Sequence, residues 1–282
     1  MKRAVLLRSL VALSLSAPAA TAAEHAGQAS NDSVTAPTGK WVVDFDDSQC
    51  VASRNYGSDG EPLGLALKAP PVGEVMQVVV VRRGKGGRYA DQLNAKISID
   101  GGKSISTSMI AMMTGQDNQR SYRVNLPLEQ FSAVRHAKTL SIQGGREFSE
   151  TFAISQMASL LKVMDECVAD LRKVWNVTEA GAPAPALRER ARGTLEGLIT
   201  AKDYPGIAID ELAEGSVAFA VLIDETGKVA DCTVTQTSGV AALDAQSCAI
   251  VKQRARFKPA VGLNGQPAKD TYHQRITWKV EF

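Results

Sequence analysis

Between Trp41 and Ile154 the apolar residues come in short runs broken by Gly, Pro and Asp clusters, the pattern of strands joined by turns. Trp41-Val42-Val43-Asp44-Phe45 opens the series, and residues 63–67, 74–81, 95–99, 106–112, 139–143 and 151–154 continue it. From Val75 to Val81 every position but Gln77 is apolar, which predicts a strand buried on both faces. Pro127 predicts the first turn of a short helix through Phe131. The period then changes. Ile154, Met157, Leu160, Leu161, Met164, Cys167, Val168, Leu171, Val174 and Trp175 recur at helical spacing behind Ser155, the expected N-cap. This stripe predicts a core-facing helix that closes a mostly β domain over 40–176, after a loose stretch at 24–39.

Residues 176–185, with Gly181 and Ala182-Pro183-Ala184-Pro185, read as a linker. It runs through 177–194 into a charged helix expected over 187–200, whose Arg188, Glu189, Arg190 and Arg192 read as a solvated face. Residues 206–212 predict a short helical segment and 217–223 a strand, with a turn at Asp224-Glu225-Thr226-Gly227 and a return strand over 228–235. Ser238-Gly239 breaks that strand, a helix follows to Arg254, and 262–267 is a loop. The final run alternates most cleanly. Tyr272, Gln274, Ile276, Trp278, Val280 and Phe282 face one way, and His273, Arg275, Thr277, Lys279 and Glu281 the other.

This order of elements resembles the TonB C-terminal domain, over about 195–282. The resemblance is carried by Tyr204-Pro205, Glu214-Gly215-Ser216-Val217, Asp224 with Gly227 and Val229, Ser238-Gly239, Leu243-Asp244 and Arg256-Phe257-Lys258-Pro259-Ala260. The last of these, with the amphipathic terminal strand, is the most specific. The resemblance implies a three-stranded antiparallel sheet packed on helices, so the fold class expected for the whole chain is α+β. It also implies a periplasmic domain that grips the plugs of outer-membrane transporters and passes on energy from the inner-membrane proton gradient. In that family the transporter's TonB box adds as a strand to the domain's final strand, a case of β-augmentation. The partner-facing row would then be Thr271, His273, Arg275, Thr277, Lys279 and Glu281. Arg275 and Lys279 fit a second role equally, as charges that blunt an exposed edge against aggregation.

Three features depart from energy transducers of that family. Nothing between Ala4 and Ala23 supplies a membrane helix with an intramembrane His, a folded region replaces the long Pro-rich stretch, and Ala201-Lys202-Asp203 stands where a Gln-containing contact segment is frequent. Coupling to an ExbB–ExbD-type motor is therefore not expected, and binding is.

Charge narrows the function classes. Lys plus Arg total 32 against 30 Asp plus Glu, and aromatics make up 5%, so neither a clustered basic footprint nor a stacking platform for nucleic acid is present. Met1-Lys2-Arg3, an apolar run after Arg8 and the small residues Ala20-Thr21-Ala22-Ala23 form the pattern of a secretory signal over 1–23, cleaved near Ala22 or Ala23. Periplasmic localisation follows, with inner-membrane anchoring if the signal stays uncleaved. Four cysteines in an exported chain predict two disulfides out of three connectivities. Cys50–Cys167 with Cys232–Cys248 gives each region its own staple.

The residues offer little catalytic chemistry. His25, His136 and His273 form no i,i+4 pair, G-x-S-x-G is missing, and Gly102-Lys103-Ser104 lacks the upstream glycine of a phosphate loop. Gly84-Lys85-Gly86-Gly87-Arg88 reads as a hairpin tip, and Asp44, Asp46 and Asp47 as strand-end charges. No catalytic residue, metal or cofactor is assigned. The expected function is a periplasmic TonB-family protein that binds outer-membrane transporters by strand addition. The alternatives are an envelope adaptor without energy transduction and, last, an enzyme within 40–176.

Overall fold

The alternating runs of the first half build strands that join a single sheet in the computed structural model, which describes residues 33–58, 60–84, 90–114, 118–178, 184 and 186–280. In chain order this half gives β1 Val34–Thr35, β2 Val42–Phe45, β3 Cys50–Asn55, β4 Leu63–Ala69, β5 Val75–Arg83, β6 Ala90–Ile99, β7 Ile105–Met113, β8 Gln119–Pro127, the short helix α1 Leu128–Phe131, β9 Thr139–Gly144, β10 Phe148–Ala153 and α2 Met157–Val174. The ten strands lie in the order β1-β10-β9-β6-β7-β8-β5-β4-β3-β2. Val34–Thr35, inside the stretch expected to be loose, pairs in parallel with β10. The sheet curls around a core where Leu65, Leu67, Ile97 and Leu140 meet Met157, Leu160, Leu161 and Met164 of α2. Cys50 on β3 bridges Cys167 on α2, with Cα atoms 6.2 Å apart.

Three local expectations change. β3 and β8 are strands that the apolar pattern did not mark, because Ser53, Arg54 and Asn55 in one and Arg120, Ser121 and Arg123 in the other interrupt it. The N-cap of α2 is Gln156, at φ 62°, and not Ser155. The Ser155 hydroxyl instead accepts a bond from Arg54, and its carbonyl accepts one from the Trp41 indole. In β5, Met76, Val78 and Val80 face the core, and Val79 is also buried, on the opposite face.

The second half gives β11 Leu187–Glu189, α3 Gly206–Asp210, β12 Gly215–Ile223, β13 Val229–Gln236, α4 Ala241–Arg254, β14 Ala260–Gly262, β15 Pro267–Ala268 and β16 Asp270–Trp278. The helix expected over 187–200 does not form. Leu187–Glu189 pairs with β14, Arg190 and Ala191 turn toward Asp270, and Gly197 takes φ 69°, which ends any helical path. The expected loop at 262–267 is part of a hairpin of β14 and β15, in a small sheet ordered β11-β14-β15. The other small sheet is ordered β13-β12-β16 and is antiparallel throughout. Val217, Phe219, Val221 and Ile223 of β12 pack on Leu243, Ile250 and Val251 of α4. Cys232 on β13 bridges Cys248 on α4, with Cα atoms 5.4 Å apart.

The opposite face of β12 is covered too. Ala220 and Leu222 join Val72 and Trp175 in a third core. The Trp175 indole donates to the Asp47 carbonyl, and the Lys269 ammonium stands 4.5 Å from the centre of its ring. The Asn176 side chain donates to the Lys269 carbonyl, and the Ala242 N–H of α4 donates to Gln92 Oε1 of β6. Residues 33–282 accordingly form one compact unit.

Candidate functional site: the outer edge of the terminal strand

β12 is the central strand of its sheet, so among the described residues β16 has one ladder neighbour and one free edge. The register runs from Ile223↔Asp270 to Gly215↔Trp278. In an antiparallel ladder, alternate residues turn both backbone groups to the same side. Which residues of β16 face outward follows from bonds made outside the ladder. The N–H groups of Thr271 and Arg275 donate to the side chains of Asp270 and Gln274, at 2.7 and 3.0 Å. The Thr271 carbonyl accepts from Arg190. Thr271, His273, Arg275 and Thr277 therefore present their backbone to the free edge, whereas Tyr272, Gln274 and Ile276 bond to β12.

The expected partner-facing row divides on this geometry. His273, Arg275 and Thr277 lie on the free edge with exposed side chains. Arg275 reaches across Ala218 to Gln236 Oε1 at 2.5 Å, and the Thr277 hydroxyl bonds that of Ser216 at 2.7 Å. Desolvation, followed by the charge of Arg190, lowers the pKa of His273 against a smaller raising effect of Asp270. Thr271 is a correction. It is only 4% exposed, because the face it shares with Leu222 is covered by the first half, and its outward backbone groups are already bonded. Lys279 is exposed just beyond the strand, which ends at Trp278 rather than running to 282. Trp278 closes the ladder by burying its ring, with its N–H donating to Ser247 Oγ. Glu281 lies outside the described residues.

Two residues of this edge carry signals that the sequence reading passed over. Arg190, read as part of a solvated face, donates to both oxygens of Asp270, a carboxylate that is 0% exposed. Gln274 shares a row with Tyr272, Ile276 and Trp278, among which a polar residue is the exception.

The motif residues hold the strand in place. The Tyr204 hydroxyl donates to the Ala213 carbonyl, and its ring meets Trp278 edge-on at 5.1 Å. Pro205 starts α3. Gly227 takes φ 80°, and a Cβ there would lie 1.9 Å from the Phe257 carbonyl oxygen, with Pro259 alongside. The Gly227 carbonyl accepts the Phe257 N–H at 2.8 Å, Lys228 and Arg256 form a β-bridge, and the Phe257 ring tilts onto Tyr272. The turn at 224–227 and the segment 256–259 are thus two sides of one contact. Asp244 accepts the N–H and hydroxyl of Ser238 and the hydroxyl of Thr237, which ties the Ser238-Gly239 break to the first turn of α4.

These features define a small three-stranded sheet backed by helices with its last strand unpaired on one side. The family model described as Gram-negative bacterial TonB protein C-terminal matches residues 200–280, under a third of the chain, and this segment is a TonB C-terminal domain. No curated protein matches the chain. Among the described residues no helix is long and apolar enough to cross a membrane.

Proposed function

We propose that this chain is a periplasmic binding protein whose TonB C-terminal domain engages TonB-dependent outer-membrane transporters by strand addition along β16, in nutrient or siderophore-type transport. The observation that carries the reading is the row of outward backbone groups at His273, Arg275 and Thr277 on a strand with one ladder neighbour. Backbone bonds would supply the affinity and the neighbouring side chains the selectivity. The leader over 1–23 would deliver the chain to the periplasm. The adaptor reading, binding without force transmission, has its own support. Trp175 and Val72 pack on the domain's other face, so the edge belongs to one compact unit with the first half.

The test is a trio of variants challenged with a detergent-solubilised outer-membrane extract. Thr277→Pro removes an outward donor and leaves the β12 ladder intact, which is the place where an edge strand tolerates proline. Thr277→Val keeps the donor and, like the proline, loses the Ser216 hydroxyl bond. The proline variant is expected to fold by circular dichroism and to lose retained transporter about tenfold, while the valine variant holds it. Ile276→Pro, whose N–H belongs to the ladder, is expected to unfold the sheet. Equal retention by the two Thr277 variants would place recognition on another surface.

A further inference from the structure

We propose that Gln274 is a removable plug on this edge, occupying its central donor until a partner strand displaces it. The inference rests on the strand-addition reading above and concerns how that same edge is kept closed.

The even-numbered side chains of β16 face the α4 side of the sheet. Tyr272 packs against Phe257, Ile276 borders the core and Trp278 is buried. Gln274 alone in this row is exposed and polar. Its Oε1 does not turn to a neighbouring side chain. It accepts the N–H of Arg275, which is the middle one of the three outward residues. An incoming strand must place a carbonyl oxygen on that same N–H, so Gln274 has to leave first. The exchange swaps one amide acceptor for another and costs little beside a full set of ladder bonds. Against a single chance contact it takes away the most central donor, alongside the charge of Arg275, which blunts the same edge.

The Thr271 end is closed differently. There the N–H is held by Asp270, itself fully buried and bound by Arg190 and by the Ala191 N–H, and the carbonyl is held by Arg190. Opening that end would strip partners from a buried carboxylate, so it is a fixed stop. A partner strand is therefore stopped short of Thr271 and has 273–277 of the strand to pair with, and among the described residues Gln274 is the one group bonded to that stretch of outward backbone.

Amide hydrogen exchange of the folded chain reads the plug without any partner. In Gln274→Ala the Arg275 N–H is expected to exchange about fivefold faster, and in Gln274→Glu, a charged acceptor, more slowly than in the wild type. With the solubilised outer-membrane extract as probe, Gln274→Ala is expected to retain roughly fivefold more transporter at limiting protein, and Gln274→Glu less. Unchanged Arg275 exchange in Gln274→Ala would overturn the plug. So would faster exchange with unchanged retention, while loss of retention in Thr277→Pro would leave strand addition standing. If Thr277→Pro retains transporter as the wild type does, strand addition itself fails and the gating role of Gln274 falls with it.

Discussion

Asp203 is a short-range anchor with a long-range consequence. Its carboxylate receives two bonds from Arg254 at the end of α4, at 2.8 and 2.6 Å, and two more from the backbone and hydroxyl of Thr200. The Arg254 bonds come first, with those of Thr200, in holding its pKa well below the usual carboxylate range. A carboxyl depressed on folding stabilises the protein above its unfolded pKa near 4, and that contribution is lost as pH falls through the lower folded value. Asp203→Asn is therefore expected to lower Tm at neutral pH and to flatten the fall of Tm below about pH 4, read by circular dichroism. Parallel Tm profiles for the two proteins would mean that Arg254 gains nothing from the charge. In the sequence, Asp203 was visible only as a departure from the family's contact segment. Its partner lies 51 residues further along the chain, and no local period links the two.

Elements were legible where one face is apolar and the other polar. The stripe from Met157 to Cys167 became α2, and the strand over 217–223 became β12. They were illegible where charge interrupts a strand, as in β8, or where a charged run suggested a helix and tertiary bonds drew it out, as at Arg190. The cysteines were legible on other grounds, because in an exported chain one bridge within each region is the simplest pairing, and both bridges form. The loop closed by Cys232 and Cys248 spans 16 residues of separation. Replacing both by Ala is expected to reduce unfolding free energy by about 3 kcal/mol in the chain-entropy model. Urea denaturation at equilibrium measures this, and a change below about 1 kcal/mol would mean that α4 packing already restricts the unfolded segment.

At the scale of the whole molecule, Trp175 joins the two halves. Its ring covers the back of β12, its N–H holds the Asp47 carbonyl, and Lys269 lies over its face. Trp175→Ala is expected to cost about 3–5 kcal/mol and to split one thermal transition into two. A single unshifted transition in calorimetry would show that the contact carries little of the coupling. The run at 217–223 is apolar at every position, which fits burial on both faces, a signal left unused when the run is read simply as a strand. Residue order alone therefore specified the alternating strands, the α2 stripe, the presence of two disulfides and the TonB-like motif, because each depends on neighbours within a few turns or on residue types that chemistry pairs. It did not specify which face of β12 meets which core, nor that Thr271 is closed while Arg275 is plugged. Those properties depend on strand register and on Arg190 and Trp175 meeting groups brought from elsewhere in the chain, and side-chain periodicity is silent about the direction in which an edge points its backbone.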